Sequence, residues 1–232
     1  MEYLYDTHFH LDLQKDRFAA IREIEQQQIY TIAVTNLPDL YRKESVELRS
    51  KYIRFALGFH PELIHLYKKQ IPIMWNFLPY VRYIGEIGLD FVDRTHKEDQ
   101  IAFFSELIER CRYDEDKILT IHSRRSVRQI LQIIAKDFRF KPILHWFTGS
   151  KGELFDAIEA GFYISVNLSM MESRKFLTLL PLIPKNRLLL ETDSPFTRNW
   201  DTHSETLKKT TQLIVEYHDD INLWDNFKAI LV

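Results

Sequence analysis

Histidine and acidic residues recur in this chain where short apolar runs give way to loops. The segments with this pattern are residues 6–10, 58–60, 85–88, 121–123, 144–146 and 191–193. Side chains from the ends of many strands converge in few architectures. The commonest is the eight-stranded parallel barrel, whose catalytic groups lie at the C-terminal ends of the strands. The pattern therefore predicts a parallel barrel that holds divalent metal in its mouth.

Apolar runs alternate with runs of helical period along the whole chain. Predicted strands cover residues 3–5, 30–35, 54–57, 81–85, 118–121, 142–145, 161–166 and 187–190. Predicted helices cover residues 16–27, 39–51, 71–77, 98–113, 127–136, 151–160, 172–180 and 203–218. Eight strands, each followed by a helix, is the count that an α/β fold of the (β/α)8 TIM barrel type requires. A doubly wound open sheet is the structural alternative, but it gathers its site at one switch point.

Composition places the chain among ordinary globular proteins. Its 232 residues are 45% hydrophobic, and we find no repeat or flexible linker, so we expect a single barrel domain over residues 1–232. The lone cysteine, Cys111, excludes an internal disulfide and indicates a reducing compartment. The N-terminus has no basic and apolar leader, and no window has the apolar length of a membrane helix. We therefore expect a cytoplasmic protein without a membrane segment.

Two segments carry residues suited to binding divalent cations. His8 and His10 are two apart at a strand end, so both imidazoles can point the same way and share a cation such as zinc or manganese. Glu86 lies between Gly85 and Gly88, where a carboxylate can bridge two cations. The structural alternatives are histidines that only decorate a strand end and a glutamate that caps the following loop.

Further candidates follow later strands. His122 and His145 come after successive apolar runs, and Asp193 after the last one could ligate metal and act as general base towards a water. Glu191 and Asp90 could support these ligands by hydrogen bonding. A histidine in such a place can also be an ordinary core or surface residue, and a loop carboxylate can simply form a turn.

The mixture of ligand types favours one class of reaction. Two cations lower the pKa of a shared water and stabilise the attacking and leaving oxygens of a displacement at phosphorus. Histidine and carboxylate ligands suit that role better than an all-thiolate structural site. The sequence has no Gly-rich phosphate loop and no serine nucleophile elbow. Hydrolysis by a metal-activated water is therefore the predicted chemistry.

Six ordered motifs give the chain a family resemblance. The strings DTHFHLD, GFHPE, GEIGLDF, IHSRRS, LHWFTGS and LLLETDSPF, strongest over residues 6–196, resemble the TatD family of metal-dependent deoxyribonucleases. The resemblance implies a (β/α)8 barrel of the amidohydrolase type with two divalent metal ions, either magnesium, manganese or zinc. The ligands that it implies are His8, His10 and Asp193 for one metal, His122 and His145 for the other, and Glu86 as the bridge.

The resemblance also implies an activity. Asp193 and Glu86 would serve catalysis, while His60 and Arg124 would hold the scissile phosphate of single-stranded or frayed DNA, degraded from the 3′ end. A net charge of −2 gives no general attraction to DNA, so local positive groups must supply it. The candidates for such a phosphate track are Arg124, Arg125, Lys151 and Arg198.

Three departures from the family pattern keep alternatives open. Glu62 stands where the family usually has a histidine, and a carboxylate there would weaken phosphate binding or change the substrate. Trp146 replaces a small residue and could either stack on a base or narrow the site. Family members usually carry a longer C-terminal helical region after the last ligand, so this barrel is compact with a shortened C-terminus, and its apolar end, residues 221–232, could dock a partner protein or pack on the barrel bottom. The alternatives are a small-molecule phosphodiesterase or amide hydrolase, and a TatD-like subunit of a multi-protein system such as anti-phage defence.

Overall fold

The computed structural model describes residues 3–135, 137–197 and 202–232. Within these ranges the chain forms eight strands: β1 (Tyr5–Phe9), β2 (Tyr30–Val34), β3 (Ile53–Ala56), β4 (Tyr83–Gly88), β5 (Ile118–His122), β6 (Lys141–Leu144), β7 (Tyr163–Val166) and β8 (Leu188–Leu190). The α-helices of the described residues are α1 (Arg17–Gln27), α2 (Pro38–Glu47), α3 (Ile71–Phe77), α4 (Lys97–Cys111), α5 (Val127–Ile134), α6 (Lys151–Glu159), α7 (Leu168–Met171), α8 (Arg174–Leu179), α9 (His203–Val215) and α10 (Leu223–Ile230). Short 3-10 helices lie at Pro61–Leu63, Lys68–Gln70, Leu78–Tyr80, Leu180–Leu182 and Lys185–Arg187.

The strands are parallel and form a barrel with two seams. Hydrogen bonds join them in the orders β1-β2-β3 and β4-β5-β6-β7-β8. A bridge between Leu57 and Ile84 connects β3 to β4. At the other seam the Thr7 hydroxyl donates to the carbonyl of Leu190 over 3.0 Å. The prediction of a (β/α)8 barrel is confirmed, whereas the single-domain assignment of residues 1–232 stays a prediction.

Most strand boundaries differ from the prediction, and the largest differences, at β1 and β4, move functional residues. The strand predicted at residues 3–5 is β1, which begins at Tyr5 and runs through His8. The strand predicted at residues 81–85 is β4, which runs from Tyr83 to Gly88 and contains Glu86. Polar residues that face the inside of a barrel interrupt the apolar pattern, so the pattern indicated a loop where the strand continues.

Several helix boundaries also differ, and α2 and α9 end earlier than predicted, at Glu47 and Val215. The helix predicted at residues 172–180 is shorter and follows the separate helix α7, because Ser173 accepts the N–H of Phe176 over 3.4 Å and caps a new helix, α8. The helix predicted at residues 127–136 ends at Ile134, and residue 136 lies outside the described residues. Helix α10 was not predicted, since its apolar residues were interpreted only as an apolar end.

The apolar C-terminal segment closes the N-terminal end of the barrel. The ring of Phe227 in α10 stacks on Tyr5 with centroids 4.3 Å apart, and Trp224 lies 6.3 Å from the same ring. Asn226 donates to the backbone carbonyl of Leu188 over 2.8 Å, which ties α10 to β8. Packing on the barrel bottom therefore accounts for the apolar end. None of the helices in the described part of the chain has the length and apolarity needed to cross a bilayer.

Candidate metal centre

The first group of candidate ligands lies where β1 and β8 meet. The Nε2 atoms of His8 and His10 are 3.2 Å apart. Asp193 Oδ1 lies 3.6 and 3.3 Å from these two nitrogens, and Glu86 Oε2 lies 3.7 and 3.5 Å from them. Ligand atoms held about 2.0–2.2 Å from a tetrahedral zinc ion lie about 3.3–3.6 Å from one another. The measured separations therefore fit a cation between these four side chains.

Unsatisfied polar atoms support the same fit. Asp193 Oδ1 is buried and has no hydrogen-bond partner among the described residues. His8 and His10 are almost completely buried with their Nε2 atoms facing one another, and such a pair can share at most one proton between them. Buried polar groups normally have partners, so atoms left without one point to a ligand.

The second group gathers around the other oxygen of Glu86. Glu86 Oε1 lies 2.7 Å from His122 Nδ1, 2.9 Å from His145 Nε2 and 3.6 Å from His60 Nε2. The His122 and His145 nitrogens are 3.4 Å apart. Burial would raise the pKa of Glu86, but His60, His145 and His122 outweigh burial and hold that pKa well below its ordinary value. One carboxylate thus faces both groups, as a bridging ligand would.

His122 is held between two carboxylates. Its Nε2 lies 2.8 Å from Asp90 Oδ2, and the Asp90 N–H donates to Gln100 Oε1 over 2.8 Å. Burial lowers the pKa of His122, but the hydrogen bonds to Asp90 and Glu86 outweigh it and raise that pKa to about 9. Asp90, which the sequence placed beside the ligands, therefore orients His122, and Gln100 in α4 orients Asp90.

Two other histidines of the cluster, His8 and His60, have lowered pKa values. Burial lowers the pKa of His8 to about 4, with a further contribution from His145. Burial likewise lowers the pKa of His60 to about 4. A neutral imidazole keeps the lone pair that metal binding requires.

Glu191 lies under the second group without a hydrogen bond to a ligand. Its Oε1 is 3.9 Å from His145 Nδ1, beyond hydrogen-bond distance. It accepts instead from the Trp146 N–H over 3.0 Å, from the Asn167 amide over 2.9 Å and from the Ser165 hydroxyl. Burial raises the pKa of Glu191 to about 7. Glu191 also belongs to a group with His8 and His145 that is compact enough to hold a metal ion.

The sequence did not predict roles for Asp6 and His203. The buried Asp6 carboxylate accepts from the backbone N–H groups of His8 and Thr192 over 2.9 and 3.1 Å. His203 Nε2 lies 2.8 Å from Asp6 Oδ2, and the His203 ring stacks on Phe9 at 4.5 Å. Asp6 therefore joins β1 to the loop after β8, and helix α9 holds Asp6 in place. No local pattern connects residues 197 positions apart.

Close backbone packing positions His60 over the cluster. A Cβ at Gly58 would overlap the carbonyl oxygen of Thr35 and the backbone at Glu86, so only glycine fits there. The Phe59 N–H then donates to the Glu86 carbonyl over 2.9 Å. This contact fixes the segment that carries His60 against the strand that carries Glu86.

The two groups open into one cleft of about 820 Å³. Arg124 and Arg125 line it, and Arg124 is exposed with its Nη1 3.9 Å from Asp90 Oδ2. Exposed Glu62 also lies on its wall. Lys151 instead holds its ammonium 5.5 Å from the Phe155 ring centroid. Arg198, the fourth residue of the predicted phosphate track, lies outside the described residues.

A parallel barrel with histidines and carboxylates gathered at its C-terminal mouth defines a metal-dependent hydrolase of the amidohydrolase type. The family described as "TatD related DNase" matches residues 5–225. The chain therefore belongs to the TatD-related DNase family. The family predicted from the six motifs is confirmed, and so is the prediction of a metal-dependent hydrolase.

Individual relatives agree with this assignment. The chain is 26% identical over 206 residues to the "uncharacterized metal-dependent hydrolase YabD" of Bacillus subtilis, covering 83% of this chain and 80% of that protein. It is 34% identical over 125 residues to the "3′-5′ ssDNA/RNA exonuclease TatD" of Enterobacter lignolyticus, a match that covers 51% of this chain and 47% of the exonuclease.

Solved structures show the same fold. The TatD homologue YjjV of Escherichia coli superposes with a TM-score of 0.76 at 19% identity and covers 98% of this chain and 95% of its own. An amidohydrolase of Saccharomyces cerevisiae gives a TM-score of 0.75 at 18% identity, with 99% of this chain and 100% of its own covered.

Proposed function

We propose that the protein binds two divalent metal ions and hydrolyses phosphodiester bonds in single-stranded or frayed DNA, beginning at the 3′ end. The observation that carries the proposal is the position of the Glu86 carboxylate, whose two oxygens face two separate groups of buried ligands. His8, His10 and Asp193 would hold one ion, and His122 and His145 the other. The relative named a 3′-5′ ssDNA/RNA exonuclease supports the substrate and the direction.

The ligand set suits this reaction. Bound divalent cations would lower the pKa of a water and offset negative charge that develops around phosphorus. Asp193 has one oxygen without a partner and lies at the open end of the barrel, so it is placed to take a proton from the attacking water. Other side chains hold the ligands in place. Asp90 orients His122, and Glu86 contacts both groups of ligands and fixes their relative positions.

Substrate contacts are proposed for two residues at the cleft. His60 lies 3.6 Å from Glu86 and is partly open to the cleft, where its imidazole can donate to a phosphate oxygen. Among the described residues, Arg124 has only a long ion pair, 3.9 Å to Asp90 Oδ2, so its guanidinium is available for bidentate phosphate binding. Neither contact depends on the identity of the base, because both residues would bind phosphate oxygens.

The proposal is tested with a 5′-labelled single-stranded oligonucleotide in the presence of manganese, of magnesium or of a chelator. Wild type should give a ladder that shortens from the 3′ end, and chelator should abolish it. His10→Ala should bind less metal and lose the ladder. His96→Ala is a matched control, because His96 is an exposed histidine outside the cleft. This variant should cleave like wild type.

Failure of a folded, metal-loaded wild type to cut any oligonucleotide would overturn the nuclease proposal. One observation favours a second candidate, a small-molecule phosphodiesterase. The Glu62 carboxylate on the cleft wall would repel a polyanion. Hydrolysis of a chromogenic phosphodiester that excess single-stranded DNA does not inhibit would support that candidate. The cytoplasmic location expected from the reduced cysteine stays a prediction.

A further inference from the structure

A second, smaller cavity adjoins the metal cleft. It has a volume of about 110 Å³ and lies between the loop after β6 and helices α7 and α8. Trp146 and Thr148 line both the small cavity and the cleft, so they form the wall between them. A group in the small cavity is thus within one residue's width of the candidate ligands.

The wall is held firmly. Trp146 has a φ of 39°, in the left-handed region that few bulky residues adopt. Its N–H donates to Glu191, which is itself fixed by Ser165 and Asn167. A tryptophan kept in an unfavourable backbone conformation by a buried carboxylate is a rigid surface. Rigid aromatic surfaces bind flat rings with little loss of conformational entropy.

The lining suits one flat ring with polar edges. Apolar side chains form most of it: Phe147, Met170, Phe176 and Leu179. At the edge, Lys175 Nζ donates to the Thr148 carbonyl over 2.7 Å and retains further N–H donors. A protein cavity of roughly 150 Å³ can hold benzene. At about 110 Å³ this cavity is smaller than that, so a single six-membered ring would fill it with one edge left in the opening towards solvent, and two fused rings would leave more of their surface outside.

We infer that this cavity is a binding subsite for a pyrimidine base of a single-stranded nucleic acid, seated against Trp146 while the adjoining phosphate lies in the metal cleft. The inference rests on the proposed function for that phosphate. Stacking on Trp146 supplies affinity without base identity. The size of the cavity disfavours purines, and Lys175 would donate to a ring carbonyl of the pyrimidine. Trp146 thus becomes a base-stacking residue rather than an obstruction.

The test uses 5′-labelled single-stranded oligonucleotides that differ only in the two 3′-terminal nucleotides, which are both thymidine, both deoxyadenosine or both abasic. For wild type we expect kcat/KM for the thymidine end to exceed that for the abasic end roughly tenfold. It should exceed that for the deoxyadenosine end by roughly fivefold. Trp146→Leu and the cavity-filling Leu179→Phe should bring all three ends within about twofold of one another.

A matched control separates the cavity from a general effect of losing an indole. Trp75 is also half-buried but packs on Phe103 away from both cavities. Trp75→Leu should keep the preference for thymidine, even where its stability falls. Equal cleavage of all three ends by wild type would overturn the subsite and leave the proposed function standing.

Binding measured without cleavage keeps the two proposals distinguishable. Fluorescence anisotropy of the same oligonucleotides with chelator-treated protein should show tighter binding of the thymidine end to wild type than to Trp146→Leu. If wild type cuts nothing but still binds thymidine ends preferentially, the nuclease proposal falls and the subsite stands. If wild type neither cuts nor discriminates in binding, the subsite is wrong as well.

Discussion

The two ends of the barrel are built from the same strands but in opposite ways. At the C-terminal mouth, buried polar atoms such as Asp193 Oδ1 and the Nδ1 atoms of His8 and His10 lack hydrogen-bond partners among the described residues. At the N-terminal end, the rings of Tyr5 and Phe227 stack and α10 closes the barrel. An unsatisfied buried polar group costs about 1–3 kcal/mol of stability, whereas a buried aromatic ring contributes several.

This contrast indicates that the bottom stabilises the fold and that the mouth depends on a ligand. The metal-free mouth should be a source of instability that bound cations relieve, because a ligand that binds only the folded state stabilises it. Substitutions at the two ends should therefore separate activity from stability. The following predictions test that separation, from the largest expected effect to the smallest.

The largest effect is expected at Glu86. Glu86→Gln removes the carboxylate that faces both ligand groups, so hydrolysis of single-stranded DNA should fall on the order of 10⁴-fold. Urea unfolding with chelator should show a free energy somewhat below that of wild type, because the neighbouring histidines hold the pKa of Glu86 below its ordinary value and the folded state thus favours its ionised form. Added manganese should raise the midpoint for wild type and much less for the variant. An equal rise of the midpoint with manganese in the variant and in wild type would contradict the comparison.

The opposite result is expected at the barrel bottom. Phe227→Ala should lower the free energy of unfolding by about 3–5 kcal/mol, since the ring is buried and stacked on Tyr5. Activity per folded molecule should stay within about twofold of wild type at low temperature. Phe155→Ala is the control, because Phe155 is 47% exposed and its loss should cost little. A large fall in kcat for folded Phe227→Ala would show that the two ends are coupled.

What the sequence predicted follows the same division. Residues that end an apolar run are visible locally, and the structure brings the six predicted ligands together around Glu86. Strand positions that face the inside of the barrel were harder to predict. β1 and β4 run through His8 and Glu86, where the polar residues indicated a loop. Contacts between distant segments left no local pattern. The Asp6–His203 pair and the cavity beside Trp146 depend on how helices pack after the strands have closed.

His203 tests whether support for the mouth extends to α9. His203→Ala removes the contact to Asp6 and should cost about 1–3 kcal/mol of stability and about 10–100-fold in metal affinity. His203→Gln can still donate a hydrogen bond and should recover part of both. Metal binding by calorimetry reports the positioning effect, because a purely structural role would leave the affinity of the folded protein unchanged. Unaltered metal affinity in His203→Ala would mean that α9 does not help to position the metal ligands.

The smallest effect concerns Glu44 in α2, a buried acid outside the ligand set. Burial raises its pKa to about 7, although Arg17 lies 3.2 Å away. Because the folded state binds this proton more tightly than the unfolded chain, stability is greatest below the ordinary pKa and is lost as pH rises through about 7. Glu44→Gln has no such dependence. Its free energy of unfolding relative to wild type should therefore rise by on the order of 1–2 kcal/mol from pH 5 to pH 8.

Urea unfolding at the two pH values, with chelator present, measures this difference. Glu47→Gln is the matched control on the same helix, because Glu47 is exposed and makes only the smallest contribution to the raised pKa of Glu44, so its variant should keep most of the pH dependence of wild type. A flat difference for Glu44→Gln would mean that Arg17 keeps the carboxylate ionised throughout. The burial of Glu44 would then not lower the free energy of unfolding. The instability expected at the metal-free mouth would be due to its unpartnered ligand atoms alone.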